Sequence, residues 1–367
     1  MITRIAIDGF KSFADFELAL PPFLLLVGAN ASGKSNFVDA LRLVARAQVG
    51  DSTRDLLDFE RGAADQLFRR RGNGEAVQEL AVQVQELVRT HGAGPAWESG
   101  VVSSALQGTL DEHPLRARLL MGGPGLDLVS HAATSAWDLP RNWLFLDADL
   151  GRAASRASGR DAAPLSADAA NLAAVLGRLQ DLGLLPELLL DAMALIPALD
   201  GIQALRDHRG DWDYDLVFRG AGVLPPILAS HGTLRVLALL AALHDPTSPR
   251  TIVVDEIETG LHPSRLKALI AIVHRLVEAS REPDGGYRLQ VIATTHSPVA
   301  LAQALSPKDG ADVRFVDTAF KHETVDGEAV LSPVTRARTV RPGGERGSYV
   351  SAVEVQQFLD TVRQDDW

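Results

Sequence analysis

Between positions 28 and 35 the chain reads Gly28-Ala29-Asn30-Ala31-Ser32-Gly33-Lys34-Ser35, which fits G-x-x-x-x-G-K-[ST] at every fixed position. No other feature constrains the fold as strongly. Successive backbone N–H groups wrap a run of phosphates, the glycines let the chain curl closely, Lys34 reaches the β/γ oxygens and the Ser35 hydroxyl ligates Mg²⁺. Such a loop works between a buried strand and a helix whose positive N-terminal end faces the anion. Both flanks are present. After the Pro21-Pro22 break the unbroken apolar run Phe23–Val27 suits a strand covered on both faces. Beyond Lys34, Phe37, Leu41, Val44 and Ala45 share one face of a helical pattern. The bland alternative, a Gly-rich turn with an incidental Lys, explains neither flank.

Three further segments extend the chemistry. Thr251-Ile252-Val253-Val254-Asp255-Glu256 is an apolar strand ending in two acids. Asp255 is expected to hold Mg²⁺ directly or through water, and Glu256 to polarise the attacking water. Glu258 is open between a structural and a catalytic role. Leu289 to Pro298 is another buried strand running into a polar turn. With the phosphate site at the carboxyl ends of a parallel sheet, His296 is expected beside the γ-phosphate, or else as a cap of the next helix. Ser230-His231-Gly232-Thr233-Leu234-Arg235 precedes an apolar helix, and Ser is a favoured N-cap there. From 230 onward helices (233–243, 264–279, 299–305) alternate with strands (252–254, 289–293), the pattern of a parallel sheet with crossover helices.

Elsewhere the signals are weaker. Residues 1–27 read as strands, and Leu80, Val82 and Val84 as a half-buried one. Residues 92–159 read as short strands and loops, and 171–199 as two helices broken near Gly183. Residues 336–348, with Arg336, Arg338, Arg341 and Arg346 among Pro and Gly, read as an exposed basic loop before a last helix over 350–362. There is no internal repeat.

Composition removes whole classes. Zero Cys excludes disulfides, thiolate metal sites and a Cys nucleophile. With 36 basic against 47 acidic residues the net charge is −11, which argues against coating nucleic acid by bulk charge. DNA contact then falls to local arginines, Arg69-Arg70-Arg71 and those between 336 and 346, unless these are ordinary solvated surface. No apolar run approaches a membrane span, and Asp8, Lys11 and Asp15 interrupt any signal or transit pattern. The expected setting is cytoplasmic.

The order of the four elements (Walker A at 28–35, signature at 230–232, Walker B at 251–256, switch His296) resembles that of ABC ATPases. Gly9-Phe10-Lys11-Ser12-Phe13 ahead of Gly28-Ala29-Asn30 resembles the opening of SMC and RecF proteins. Asp255-Glu256-Ile257-Glu258-Thr259-Gly260-Leu261-His262-Pro263, Thr295-His296-Ser297-Pro298 and Asn171 to Leu176 resemble the AAA-type ATPases grouped with RecF and OLD proteins. The resemblance implies an α/β P-loop NTPase: an ABC-ATPase head with a mixed or antiparallel β lobe, a parallel core sheet flanked by helices, and a helical insertion. Its divisions are 1–125 with Walker A, a mostly helical 126–225, 226–335 with signature, Walker B and switch His, and 336–367.

The resemblance also implies ATP and Mg²⁺ as cofactors. Catalysis falls to Glu256, His296 and Lys34, and metal binding to Ser35 and Asp255. Nucleotide binding falls to Gly28, Asn30, Gly33, Lys34, Ser35 and Asn36, with Ser230 and Gly232 supplied by a second head, and to Lys11 as a basic residue near the phosphates. The implied function is an ATPase that dimerises head to head, serving DNA maintenance or anti-phage defence with a partner. The alternatives are an ATP-gated subunit of negligible turnover controlling an effector such as a nuclease, and a transporter's nucleotide-binding subunit. Departures exist: His231 stands where an acid is common, Ile257 where Pro is common. Among Gln48, Gln66 and Gln83 no Q-loop glutamine stands out. SMC-length heptads and a Toprim nuclease domain are not expected.

Overall fold

The computed structural model describes residues 1–48, 64–91, 97–109, 118–122, 129–130, 143–160, 162–283, 285–305, 312–340, 349–351 and 353–358. The chain divides into two compact units, Met1–Arg141 with Val313–Gln357 and Asn142–Asp312 with Phe358–Trp367.

In the first unit β1 (Ile2–Asp8) pairs antiparallel with β2 (Phe16–Ala19) on one side and with β4 (Glu79–His91) on the other. Every residue of β3 (Phe23–Val27) is buried, as its unbroken apolar run requires. Helix α1 (Lys34–Gln48) follows the loop and buries Phe37, Leu41 and Val44. Strand β4 pairs along its whole length with β5 (Trp97–Thr109), and β6 (Arg118–Gly122) and β7 (Val129–Ser130) complete the order β2-β1-β4-β5-β6-β7. Within 92–159, β6 and β7 are short strands as expected, whereas β5 is one long antiparallel partner of β4. Its Gly- and Ser-rich sequence hides the strand, which pairing across the ladder specifies instead. At the end of α1, Gln48 Nε2 donates to Glu86 Oε2 (3.0 Å) and Ser104 Oγ (2.9 Å), so this glutamine braces the helix against β4 and β5.

The second unit begins with β8 (Trp143–Leu146) and the short helix α2 (Leu150–Ala153). Helices α3 (Leu172–Asp181) and α4 (Leu185–Leu195) follow, and Gly183 at φ +72° breaks them where expected. Strands β9 (Leu199–Arg206), β10 (Trp212–Phe218) and β11 (Gly222–Leu224) form an antiparallel sheet against which α3 packs. Residues 126–225 are therefore not mostly helical. The alternation that buries Trp212, Tyr214 and Leu216 has a period of two, and the turn over Asp207–Asp211 closes a hairpin. Next come α5 (His231–His244), β12 (Thr251–Val254), α6 (Pro263–Ala279), β13 (Gln290–Thr295) and α7 (Pro298–Ala304), each within two residues of its sequence-predicted bounds. Strands β8, β12 and β13 run parallel in the order β13-β12-β8.

The chain then returns to the first unit with β14 (Asp312–Val325), β15 (Glu328–Val340) and β16 (Tyr349–Val350), in the order β16-β15-β14-β3. Residues 313–335 thus belong with the Walker A unit and not with 226–312. A two-residue turn, Asp326 (φ +50°) and Gly327 (φ +86°), closes the hairpin. The exposed basic loop expected from 336 is corrected at its start. Arg336 and Arg338 lie within β15, both bonded to Asp317, and Arg338 also reaches Glu354 at 2.8 Å. Arg341 and Arg346 lie outside the described residues, as does the last helix beyond 358; residues 353–358 are helical.

Arg69 likewise offers nothing to a DNA backbone. It is buried, and its guanidinium grips Glu323 at 2.9 and 2.5 Å. The Arg69 hydrogen bonds, with help from the Ser332 hydroxyl and the charges of Arg69 and Lys321, hold the Glu323 carboxyl down from 4.5 to about 2. Because the folded value lies below the unfolded one, this stabilisation is fully present above pH 4.5 and is lost as pH falls toward 2. Arg69→Ala leaves the half-buried carboxylate with only the Ser332 hydroxyl and the charge of Lys321, so it is expected to destabilise the protein by about 2 kcal/mol at neutral pH. The difference from wild type should shrink in urea unfolding between pH 4.5 and pH 3. A variant of wild-type stability at pH 7 excludes this account.

Candidate functional site

In the first unit the sequence places Lys11, Gly28, Asn30, Gly33, Lys34, Ser35 and Asn36 around one loop. Lys34, buried at the first turn of α1, donates from Nζ to the Gly28 and Ala29 carbonyls, each at 2.8 Å, so its ammonium arches over the hollow of the loop. Ser32 N–H closes the turn on Ala29 O at 3.3 Å, and Ala31 holds φ +61°. A Cβ at Gly28 would fall 2.2 Å from Val316 O, and one at Gly33 (φ +103°) would fall 2.1 Å from Thr335 Oγ1. Glycine is therefore required at both fixed positions. The Ser32 hydroxyl is buried with no partner among the described residues, an orphaned polar atom in a loop of backbone donors. A cradle of this kind, with a Lys and a helix N-terminus, fits a nucleotide polyphosphate.

Two sequence expectations change here. Lys11 Nζ lies 2.6 Å from Asp39 Oδ2, a buried carboxylate of α1, so its charge is paired within the fold and not directed at phosphates. Asn36 donates its side-chain amide to Ser12 Oγ at 2.8 Å, which makes it a brace of the loop rather than a displayed ligand. Asn30 lies exposed at the loop's tip and Ser35 is half-buried.

The second unit gathers Ser230, Gly232, Asp255, Glu256 and His296 at the carboxyl ends of β12 and β13. Asp255 Oδ1 accepts from Thr294 Oγ1 at 2.5 Å, and the same hydroxyl accepts the Glu256 N–H at 2.8 Å. Glu256 sits at φ +52°, unusual for a non-glycine residue, and the turn after it is held by Ile257 N–H on Thr294 O. This strained turn swings Glu256 away from the line of the strand. Glu258 resolves toward positioning: its Oε1 accepts the His296 backbone N–H (2.7 Å) and lies 2.9 Å from His296 Nδ1. The cap of α7 is Ser297, not His296.

Ser230 caps α5, its Oγ accepting the Thr233 N–H at 3.1 Å. Gly232 lies against Gly260: a Cβ on Gly232 would fall 1.9 Å from Gly260 O. Arg235, on the same helix turn, donates to the carbonyls of Asp255 (2.7 Å) and Glu256 (3.3 Å). The signature segment and the carboxylate turn are thus latched together by a backbone contact and a guanidinium.

Two family models match the chain. The first, described as "AAA domain, putative AbiEii toxin, Type IV TA system", matches residues 131–302. The second, "AAA ATPase domain", matches residues 1–78. Among solved structures, an Smc head domain with an extended coiled coil bound to the C-terminal domain of ScpA, from Pyrococcus furiosus, is similar at TM-score 0.57 and 15% identity, over 99% of each chain. A second SMC head, bound to the C-winged helix domain of ScpA, is similar at TM-score 0.56 and 16% identity, over 91% of this chain and 98% of that one. No curated protein matches. The chain carries AAA ATPase domains over 1–78 and 131–302, which make it an ATPase, and it has the fold of an SMC head.

Sequence reasoning missed residues in each of the two units. Thr294 carries a signal only in retrospect, as a hydroxyl two positions before His296 on the strand beside Asp255. Arg235 stands five residues after Ser230, on the face of α5 that its spacing turns to the carboxylate strand. Thr335 and Ser12 approach the loop from far away in sequence. Among the described residues no group of His, Asp and Glu forms a further metal site, and no helix is long and apolar enough to cross a membrane. Glu258→Ala frees the His296 ring, and turnover is expected to fall between about 10- and 100-fold with ATP affinity unchanged. Phosphate release and nucleotide titration together decide it, and wild-type turnover excludes a positioning role.

Proposed function

We propose that this ATPase works as an ATP-dependent pair of heads, each supplying its Walker A loop to one nucleotide and its signature to the other. The observation that carries the reading is the latch between Gly232 and Gly260, reinforced by Arg235 on the Asp255 and Glu256 carbonyls. Packed backbones transmit displacement with little slack. A ligand engaging Ser230 and Gly232 therefore acts on the turn that carries Glu256, and hydrolysis becomes conditional on a second head. Lys34 and the loop N–H groups would hold the phosphates. Ser35 and Asp255 are the hard oxygen donors that suit Mg²⁺, which would screen phosphate charge. Glu256 would take the proton of the attacking water, and His296, oriented by Glu258, would stand beside it.

The resemblance to SMC and RecF proteins supports a role in DNA maintenance or anti-phage defence alongside a partner protein. The solved SMC heads are themselves bound to domains of ScpA. With Arg69 buried and Arg336 and Arg338 paired, direct DNA contact would fall among the described arginines to Arg70 and Arg71, or else to the partner. Sedimentation tests the pairing: a dimer in ATP with Mg²⁺ and a monomer in ADP is expected, and a monomer in both rejects it.

A further inference from the structure

The Walker A loop is gripped from behind by two residues that belong to neither its strand nor its helix. Thr335, buried in β15, lies with Oγ1 at 3.2 Å from Ser32 O and 2.6 Å from Ser12 Oγ, and Ser12 Oγ lies 2.8 Å from Asn36 Nδ2. The backbone adds a fourth bond, Thr335 N–H to Ser12 O at 2.7 Å. The proton order follows from the two ends. An amide nitrogen only donates and a carbonyl only accepts, so the chain runs Asn36 N–H to Ser12 O–H to Thr335 O–H to Ser32 C=O. Both ends lie in the phosphate loop, one just before Gly33 and one just after Ser35. Hydrogen bonds aligned head to tail in a buried setting strengthen one another.

The relay has a directional consequence. In a trans peptide the C=O and the following N–H point in opposite directions. Pinning Ser32 C=O on Thr335 therefore aims the Gly33 N–H away from β15, the direction in which a phosphate cradled by the loop is expected. The closeness of Thr335 also dictates the residue it braces, because a Cβ at Gly33 would overlap its hydroxyl at 2.1 Å.

We infer that Thr335, with Ser12, is a positioning residue for nucleotide binding: it presets the Ser32–Gly33 peptide so that the loop is already in its phosphate-binding form before ATP arrives. The inference rests on the Walker A loop being the nucleotide site, and wild-type binding of a fluorescent ATP analogue is the control for that premise. Thr335→Val keeps the shape but leaves the Ser32 carbonyl buried without a donor. Its dissociation constant for the analogue should rise about tenfold, with KM rising and kcat little changed. Thr335→Ser restores the hydroxyl and should bind within about twofold of wild type. Ser12→Ala breaks the middle of the relay while leaving Thr335 on Ser32, so it should weaken binding severalfold and serves if Thr335→Val does not fold. Melting curves without nucleotide separate the readings: wild-type affinity in folded Thr335→Val, or in folded Ser12→Ala where valine prevents folding, overturns the inference, whatever the loss of Tm. Failure of the wild-type control rejects the nucleotide site itself.

Discussion

Glu256→Gln is expected to bind ATP as tightly as wild type, to lose turnover by between about 10²- and 10⁴-fold, and to accumulate as a dimer in ATP and Mg²⁺. The substitution is nearly isosteric. The glutamine oxygen can still accept from Thr259 Oγ1, which lies 3.2 Å from Glu256 Oε2, and the backbone bond from Glu256 N–H to Thr294 Oγ1 is untouched. What disappears is the capacity to take a proton. The loop proposed to bind phosphate, built on Lys34 and the Gly28–Ser35 backbone, is a separate segment and should not notice. If heads pair on ATP and part on hydrolysis, blocking the second event leaves the first. Light scattering alongside phosphate release reads both. Persistent monomers in ATP discard the two-head reading while leaving the ATPase intact. Unchanged turnover removes Glu256 as the base and points to His296, which Glu258 holds through its backbone N–H.

The parts of this site that were legible in the sequence are those whose chemistry and contacts are local. The phosphate loop declares itself in eight residues because its ligands are its own backbone, and β3 and α1 follow from apolar spacing on either side. Strands β12 and β13 are short, buried on both faces and bounded by acids or by Thr-His-Ser, so their tips could be placed without a partner. The misreadings have a common cause. Arg69 looked like surface within a basic triplet because its partner, Glu323, lies 254 residues later. Arg336 and Arg338 looked like a loose basic loop because Asp317 and Glu354 neutralise them only once β14 and β15 pair. The hairpin did carry a local sign in Asp326-Gly327, the dipeptide that favours a tight two-residue turn. Long-range pairing of this kind leaves little trace in a single chain, since any complementary charge or strand elsewhere satisfies it.

Gly232→Ala is the second substitution with a large expected effect, and it separates the latch from the nucleotide loop. A methyl group there has no room: Gly260 O would lie 1.9 Å away and Gly260 Cα 3.1 Å. The obstacle is backbone, at a residue held at φ +82°, so it does not yield as a side chain would. Either the first turn of α5 or the turn after β12 has to shift. The Ser230 cap and the Arg235 bonds to the Asp255 and Glu256 carbonyls move with whichever gives way. Overpacking at such a contact costs about 1–3 kcal/mol of stability. The effect on hydrolysis should be larger, because about 1 Å of misplacement at a reacting group costs on the order of 10²-fold. ATP titration of the variant should remain as in wild type, while turnover falls by about that factor and dimerisation in ATP is lost. Weakened ATP binding with normal turnover per bound nucleotide would instead mean that the latch serves the phosphate loop. Wild-type behaviour throughout would show that the two glycines merely touch.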